Sequence, residues 1–135
     1  MSLKRSQNNS WLDCDLVSQI HDLEIANHGG MSGLRDEGLL ESALAQPFVT
    51  FDGIDLYPSV EEKAARLAYG IIKNHPFADG NKRTGTQMLI VFMRMNDYRF
   101  KPRHKDLEQI IVGVASGENS YEDLVEFVRR ETSQL

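Results

Sequence analysis

The segment His75-Pro-Phe-Ala-Asp-Gly-Asn-Lys-Arg-Thr-Gly85 lies between two apolar helical stretches and decides how they are joined. Ser59 and Glu62 have the spacing of a capping box, and apolar residues follow at helical intervals as far as residue 74. Pro76 disfavours helical backbone at the preceding residue, so the helix is predicted to end at His75. Residues 81–96 predict a second helix that is apolar on nearly all sides, which is typical of a central, buried helix.

Four further helices are predicted on either side of this pair. The first begins at Ser10 or Asp13 and ends near Asn27, because the glycines at 29 and 30 supply the positive φ that helix ends favour. Its inward stripe is predicted to comprise Leu16, Ile20 and Leu23. The other three helices are predicted at about 36–46, 105–116 and 120–132. The fold class is therefore all-α, a compact bundle of about six helices.

Residues 48–57 are predicted to form a small β-like flap, since they are rich in aromatic and β-branched residues. Asp52 and Gly53 lie at its centre, and Asp-Gly suits a two-residue hairpin turn because that turn requires positive φ. The alternative is an irregular loop that Phe48 and Phe51 hold against the core.

Length and charge restrict the classes of function. The chain has 135 residues and a net charge of −5, which indicates one domain over 1–135 and disfavours nucleic-acid binding. Cys14 is the single cysteine, so an internal disulfide or a zinc site with several cysteine ligands is excluded. No apolar run has the length of a membrane span, so a cytoplasmic protein is expected. Residues 1–9 are expected to be flexible or in part a cloning remnant.

The start of the 81–96 helix has features that suit an anion. The first backbone N–H groups of a helix lack partners within the helix, and the helix dipole is positive at this end. Gly80 allows the backbone to approach a ligand closely, and Lys82 and Arg83 add two cations where they are unfavourable for the helix itself. The pattern predicts a phosphate cradle.

Two side chains beside this cradle suggest a reaction. Asp79 is a hard oxygen ligand of the kind that binds Mg²⁺ together with phosphate oxygens. Histidine titrates near neutral pH, so His75 can accept a proton from an attacking hydroxyl. A cradle, a metal carboxylate and a base within nine residues indicate transfer of a phosphorus-containing group from a nucleotide to a hydroxyl.

Each of these residues alone has a simpler interpretation. His75 can cap a helix C-terminus, Asp79 can cap a helix N-terminus, and lysine and arginine usually lie in solvent. Phe77 is expected in the core in any case. Only the combination of these residues favours chemistry. Solvent-exposed or capping roles are expected for the other histidines, His21, His28 and His104.

Residues 75–83 resemble the Fic/Doc signature His-x-Phe-x-(Asp/Glu)-Gly-Asn-(Gly/Lys)-Arg. Residues 33–43, Gly-Leu-Arg-Asp-Glu-Gly-Leu-Leu-Glu-Ser-Ala, and the order of the helices resemble the death-on-curing (Doc) branch across nearly all of 10–130. The resemblance implies a compact helical bundle with the motif on a loop and helix start, and a flap that aligns a target segment.

The resemblance also implies a role for each motif residue. His75 would be the general base and Asp79 the Mg²⁺ ligand. The residues that would bind ATP are Phe77, Gly80, Asn81, Lys82 and Arg83. The flap residues that would pair with a target peptide by strand addition are Phe51, Asp52, Gly53 and Ile54.

The family contains two chemistries, and the sequence favours one. Members that transfer AMP typically have glycine and arginine where this chain has Lys82 and Thr86, so a Doc-like kinase is favoured. It would transfer the γ-phosphate of ATP to a Ser or Thr hydroxyl of a protein, with elongation factor Tu as the implied target. Gly80 instead matches the alternative, a protein adenylyltransferase. A second alternative is a non-catalytic nucleotide-binding module.

The sequence also bears on regulation. Many Fic proteins carry an inhibitory helix with the pattern (Ser/Thr)-x-x-x-Glu, and no Ser or Thr of this chain is followed four residues later by Glu. Restraint by a separate antitoxin protein is therefore expected.

Overall fold

The computed structural model describes residues 9–134, and the predictions for residues 1–8 lie outside this range. The described part contains six α-helices and confirms the all-α class. Their bounds are α1 (Cys14–His28), α2 (Glu37–Ala45), α3 (Val60–Asn74), α4 (Asn81–Met95), α5 (His104–Ser116) and α6 (Tyr121–Arg130). A 3-10 turn, Gln46–Phe48, follows α2.

Helix α3 occupies the centre of the bundle, packed against α2, α4, α5 and α6. Its buried face is built largely from small residues, and Gly70 lies so close to Ala43 of α2 that a Cβ there would be 3.1 Å from the alanine Cβ. The prediction that 81–96 forms the central helix is therefore only partly right. Helix α4 is buried along one face, whereas Met95 on the other is 44% exposed.

Two antiparallel strand pairs accompany the helices in the described residues. The predicted flap is confirmed as a hairpin, with β1 (Thr50–Phe51) paired to β2 (Ile54–Asp55). Asp52 and Gly53 form its turn with φ values of 52° and 77°, so the Asp-Gly signal was read correctly. The alternative was an irregular loop held against the core by Phe48 and Phe51. Phe48 does pack against the core, beside Phe92, but Phe51 is 71% exposed and the segment is a paired hairpin rather than an irregular loop.

The second strand pair is not anticipated by the sequence analysis. Strand β3 (Tyr98–Phe100) pairs with β4 (Thr132–Gln134), so the last helix ends at Arg130 rather than at residue 132. Phe100 is buried and packs edge-on against Phe127 of α6, which draws the chain end back along β3. The tertiary contact, rather than local propensity, decides the conformation here.

The inward face of α1 also differs from the prediction. Val17 and His21 are the buried residues, whereas Leu23 is 61% exposed and Leu16 and Ile20 are half-buried. A polar histidine therefore takes the central place on this face. Asp13, one of the two proposed caps, accepts a hydrogen bond from Leu16 N at 2.8 Å.

Between residues 9 and 134, no helix is both long enough and apolar enough to cross a bilayer.

The close contact between α3 and α4 yields a stability prediction. A Cβ at Gly85 of α4 would lie 2.9 Å from Ile72 Cγ1 and 3.3 Å from the Ala68 carbonyl oxygen. Because neither group can move freely, Gly85→Ala is expected to lower the free energy of unfolding by about 1–3 kcal/mol in urea titrations.

Gly38→Ala provides the matched control, since a Cβ at this exposed helical position would make only an ordinary contact. The control is expected to be neutral or stabilising by up to about 1 kcal/mol. Equal stability of the two variants would contradict close packing at Gly85.

Candidate active site

His75 lies at the end of α3, where the prediction places it. It is the C-cap residue, with a left-handed φ of 52°, and its side chain is exposed. Few non-glycine residues adopt this conformation, which costs about 1–2 kcal/mol and persists only when neighbouring groups hold it. The imidazole is therefore presented to solvent from a fixed and strained position.

The side chain of Asn81, at the start of α4, holds the His75 ring. Asn81 Oδ1 accepts from Phe77 N at 3.0 Å and Nδ2 donates to Phe77 O at 3.0 Å, so the orientation of the amide is fixed by the backbone. The second Nδ2 hydrogen faces His75 Nδ1 at 3.3 Å. The Asn81 side chain therefore lies against the Nδ1 side of the His75 ring.

Helix α4 begins without a side-chain cap. Gly80 is its N-cap residue, with φ of 76° and no capping side chain. Four of the other helices are capped by side chains, those of Asp13, Asp36, Ser59 and Ser120. Uncapped N–H groups and the exposed Lys82 leave this helix end suited to an anion.

Asp79 lies beside this helix end with an exposed carboxylate. Oδ2 accepts from Met31 N at 3.1 Å and Oδ1 accepts from Gly80 N at 2.9 Å. These backbone donors, and secondarily the positive charges of Arg83 and Lys82, hold the pKa of the Asp79 carboxyl below its ordinary value. Asp79 is thus ionised at neutral pH and does not serve as a conventional helix cap.

This carboxylate fits the predicted role as a Mg²⁺ ligand. Each oxygen uses one lone pair on a backbone donor and retains another, and the group is open to solvent. No group of three or more His, Cys, Asp or Glu side chains is arranged as a metal site among residues 9–134. A single carboxylate is nevertheless sufficient for Mg²⁺ when the remaining ligands are phosphate oxygens and water.

His21 is a site residue that the sequence analysis missed. It is 1% exposed, stacks on Phe77 with ring centroids 3.9 Å apart, and its Nε2 lies 2.7 Å from the Asp79 carbonyl oxygen. The expected solvent or capping role is therefore wrong for this histidine. Spacing gave no signal, because the contact joins residues 58 apart in sequence.

Two residues predicted to bind ATP instead support the loop. Phe77 is 2% exposed beneath His21, and Leu34 forms an isolated antiparallel bridge with it. The Asn81 amide is 5% exposed and engaged by Phe77 and His75. Direct contact of either side chain with a nucleotide does not fit this burial, whereas the backbone N–H of Asn81 remains at the helix start.

Arg83 and Lys82 lie in the first turn of α4, beside a cavity. Arg83 donates from Nη2 to Gly29 O at 3.0 Å, which ties α4 to the end of α1. Both cations line a cavity of about 380 Å³ between α1, α4 and α5, together with Glu24, His28, Ile90 and Val112 among others. His75 and Asp79 lie outside that cavity.

The flap hairpin is attached at the opposite end of α3 from His75. Lys63, in the first turns of α3, forms an ion pair with Asp55 at 3.1 Å and donates to Tyr57 O. Lys63 and His75 are twelve residues apart, or about 18 Å along a helix axis. An extended segment of five or six residues spans such a distance. Phe51 and Ile54 are each 71% exposed on the hairpin.

Comparison with known proteins agrees with the motif. Residues 11–93 match the Fic/DOC family, and the chain belongs to that family. A protein of Mycolicibacterium smegmatis named Toxin Doc is 43% identical over 68 residues, which cover 50% of this chain and 52% of that protein. A protein of Escherichia phage P1 named Protein kinase doc is 31% identical over 114 residues, which cover 82% of this chain and 86% of that protein.

The chain therefore spans about half the length of the first relative and most of the second. The resemblance drawn from residues 75–83 and 33–43 is confirmed.

The buried position of His21 gives a prediction. His21→Phe keeps an aromatic ring on Phe77 but removes the hydrogen-bond partner of the Asp79 carbonyl, and it is expected to lower the free energy of unfolding by about 1–3 kcal/mol. His28→Phe is the control, since that side chain is 55% exposed and should change stability by less than about 0.5 kcal/mol. Similar losses in both variants during urea unfolding would exclude a special role for His21.

Proposed function

We propose that the protein transfers the γ-phosphate of ATP to a Ser or Thr hydroxyl of a protein target. The main support for this proposal is that one short loop places His75 and Asp79 directly before the start of α4, which is uncapped and carries two cations. The relative named Protein kinase doc, which aligns with 82% of this chain, supports the choice of chemistry. Elongation factor Tu is the first target to test, because the family resemblance implies it.

In the proposed reaction, the target hydroxyl oxygen attacks the γ-phosphorus and the bond to the β–γ bridging oxygen breaks, so that ADP leaves. The hydroxyl proton passes to His75. The imidazole is exposed at the end of α3, so a target hydroxyl can approach it from solvent.

The backbone at the start of α4 and the two cations would hold the transferred phosphate. Lys82 is exposed at this helix end, and Arg83 is fixed by the Gly29 carbonyl. When bound with ATP, Mg²⁺ would be held by Asp79 and would neutralise phosphate charge. Positioning and electrostatic stabilisation, rather than covalent chemistry, would supply most of the rate enhancement.

Gly80 does not argue for adenylyl transfer once its environment is considered. Its φ of 76° is strained for any residue with a side chain, and a Cβ there would lie 3.2 Å from Ile25 Cδ1. The backbone conformation therefore explains why residue 80 is glycine, and it would do so for a kinase as well as for an adenylyltransferase. Lys82 and Thr86 remain as the positions that favour phosphoryl transfer over AMP transfer.

We further propose that the protein is a toxin restrained by a separate antitoxin. The M. smegmatis relative is named Toxin Doc. Catalytic modification of a cellular protein provides a direct route to growth arrest, and a bound partner provides the restraint.

Labelled ATP tests the chemistry. With Mg²⁺ and elongation factor Tu, we expect label from γ-labelled ATP to be retained on the target and label from α-labelled ATP not to be. His75→Ala should lower this transfer by about 10²–10⁴-fold and remain folded, because the side chain is exposed and its removal loses only the Asn81 contact.

Retention of α-label alone would overturn the kinase proposal in favour of adenylyl transfer. If ATP with Mg²⁺ raised the melting temperature while no protein in a lysate was labelled, the chain would be a non-catalytic nucleotide-binding module.

Growth measurements test the toxin proposal. Expression of the protein without an antitoxin is expected to slow bacterial growth, and His75→Ala is expected to restore it. Arg94→Gln is the control and should remain toxic, since Arg94 is exposed in the last turn of α4, about 20 Å along the helix from residue 81. Equal toxicity of wild type and His75→Ala would contradict catalytic toxicity.

A further inference from the structure

Arg35, in the segment before α2, folds back onto the end of α3 instead of extending into solvent. Its Nε donates to His75 O at 2.8 Å, and its Nη2 donates to Asn74 O at 3.1 Å and also to His75 O. The residue is exposed, so burial does not force this arrangement. An exposed arginine with three hydrogen bonds to two adjacent carbonyls is held by those bonds.

The backbone around Arg35 holds the other side of His75. Arg35 N donates to Pro76 O at 2.7 Å, and Asp36 N donates to the same oxygen at 3.0 Å. Ala78 N donates to Gly33 O at 3.1 Å. The peptide groups before and after the His75 Cα therefore both accept from the Arg35 side chain, through Asn74 O and His75 O. The Arg35 amide fixes the next peptide group, through Pro76 O.

This clamp acts where the chain is strained. His75 has the left-handed φ of 52°, which an L-residue keeps only when its surroundings fix it. The carbonyls that Arg35 binds are at the negative end of the α3 dipole, where a guanidinium is favourable. The fork of the guanidinium matches two neighbouring carbonyl oxygens, which a point charge such as lysine cannot match equally well.

We propose that Arg35 is a positioning residue for His75: it fixes the left-handed backbone at residue 75 and so holds the imidazole in its place beside the Asn81 side chain. Arg35 touches neither nucleotide nor target and acts only through His75. The proposal rests on the proposed function for its kinetic consequence, but the position of the ring is a property of the chain alone.

A purely structural helix cap makes different predictions. Such a cap would contribute to the free energy of unfolding, but its loss would leave the turnover of folded protein and the state of the His75 ring unchanged. A positioning residue alters both, because a displacement of the base by about 1 Å costs up to about 100-fold in rate.

The kinetic experiment compares Arg35→Gln, Arg35→Lys and the control Arg94→Gln at a temperature where all are folded. We expect Arg35→Gln to lower kcat by about 10–100-fold with the KM for ATP changed less than about 2-fold. Arg35→Lys, which still donates to a carbonyl, should recover part of kcat. The Arg94→Gln control should match wild type.

A second readout is independent of activity. Two-bond ¹⁵N–¹H NMR spectra of the histidine rings, at a pH where the rings are neutral, distinguish Nδ1–H from Nε2–H tautomers, and His75→Asn assigns the signal. The His75 ring signals of wild type should differ from those of free imidazole, because the ring is held beside the Asn81 side chain. In Arg35→Gln they should shift towards the tautomer mixture of free imidazole.

An unchanged His75 ring spectrum in Arg35→Gln, together with a kcat equal to that of Arg94→Gln, would overturn the proposal and leave Arg35 as a helix cap. If wild type transferred no label but the ring spectrum changed as expected, the positioning role would stand and the proposed function would fail. If Arg35→Gln did not fold, Arg35→Lys would carry the same test, and an unaltered ring and kcat in that variant would count against positioning.

Discussion

The close packing of α3 against α4 is the constraint on which the candidate site depends. Gly85 allows the two helices to meet at Ile72 and Ala68, and only six residues, 75–80, join them. With both helices fixed, the end of one and the start of the next lie beside each other. The packing of α3 against α4 consequently fixes His75, the proposed base, relative to the start of α4, the proposed anion-binding site.

Elements far away in sequence then complete this geometry. The loop between the helices is held on one side by His21 of α1, which stacks on Phe77, and by Met31 N, which donates to Asp79. Arg35 holds it on the other side. These contacts hydrogen-bond much of the loop backbone to the rest of the protein. The uncapped start of α4 and the Asp79 carboxylate remain exposed. A protein of net charge −5 thus presents a local site suited to phosphate and a divalent cation.

Local signals made much of the fold predictable. The capping box at Ser59, the Asp-Gly turn of the flap and the helix end before Pro76 each depend on neighbouring residues, and each was predicted correctly. The inward face of α1 and the β3–β4 pair depend on tertiary contacts instead. His21 is buried because Phe77 and the Asp79 carbonyl receive it, and neither partner is near it in sequence. Within the site, the motif identified the residues of the loop. It did not indicate which of them are buried and support the loop, as Phe77 and Asn81 do, and which are exposed, as His75 and Asp79 are.

A crystal structure of the His75→Ala variant with ATP and Mg²⁺ tests the central claim most directly. We expect the γ-phosphate to lie at the uncapped N-terminus of α4, next to the space vacated by the histidine side chain, with Mg²⁺ at Asp79. An α-phosphate in that position, with the γ-phosphate directed away from residue 75, would contradict phosphoryl transfer at this site.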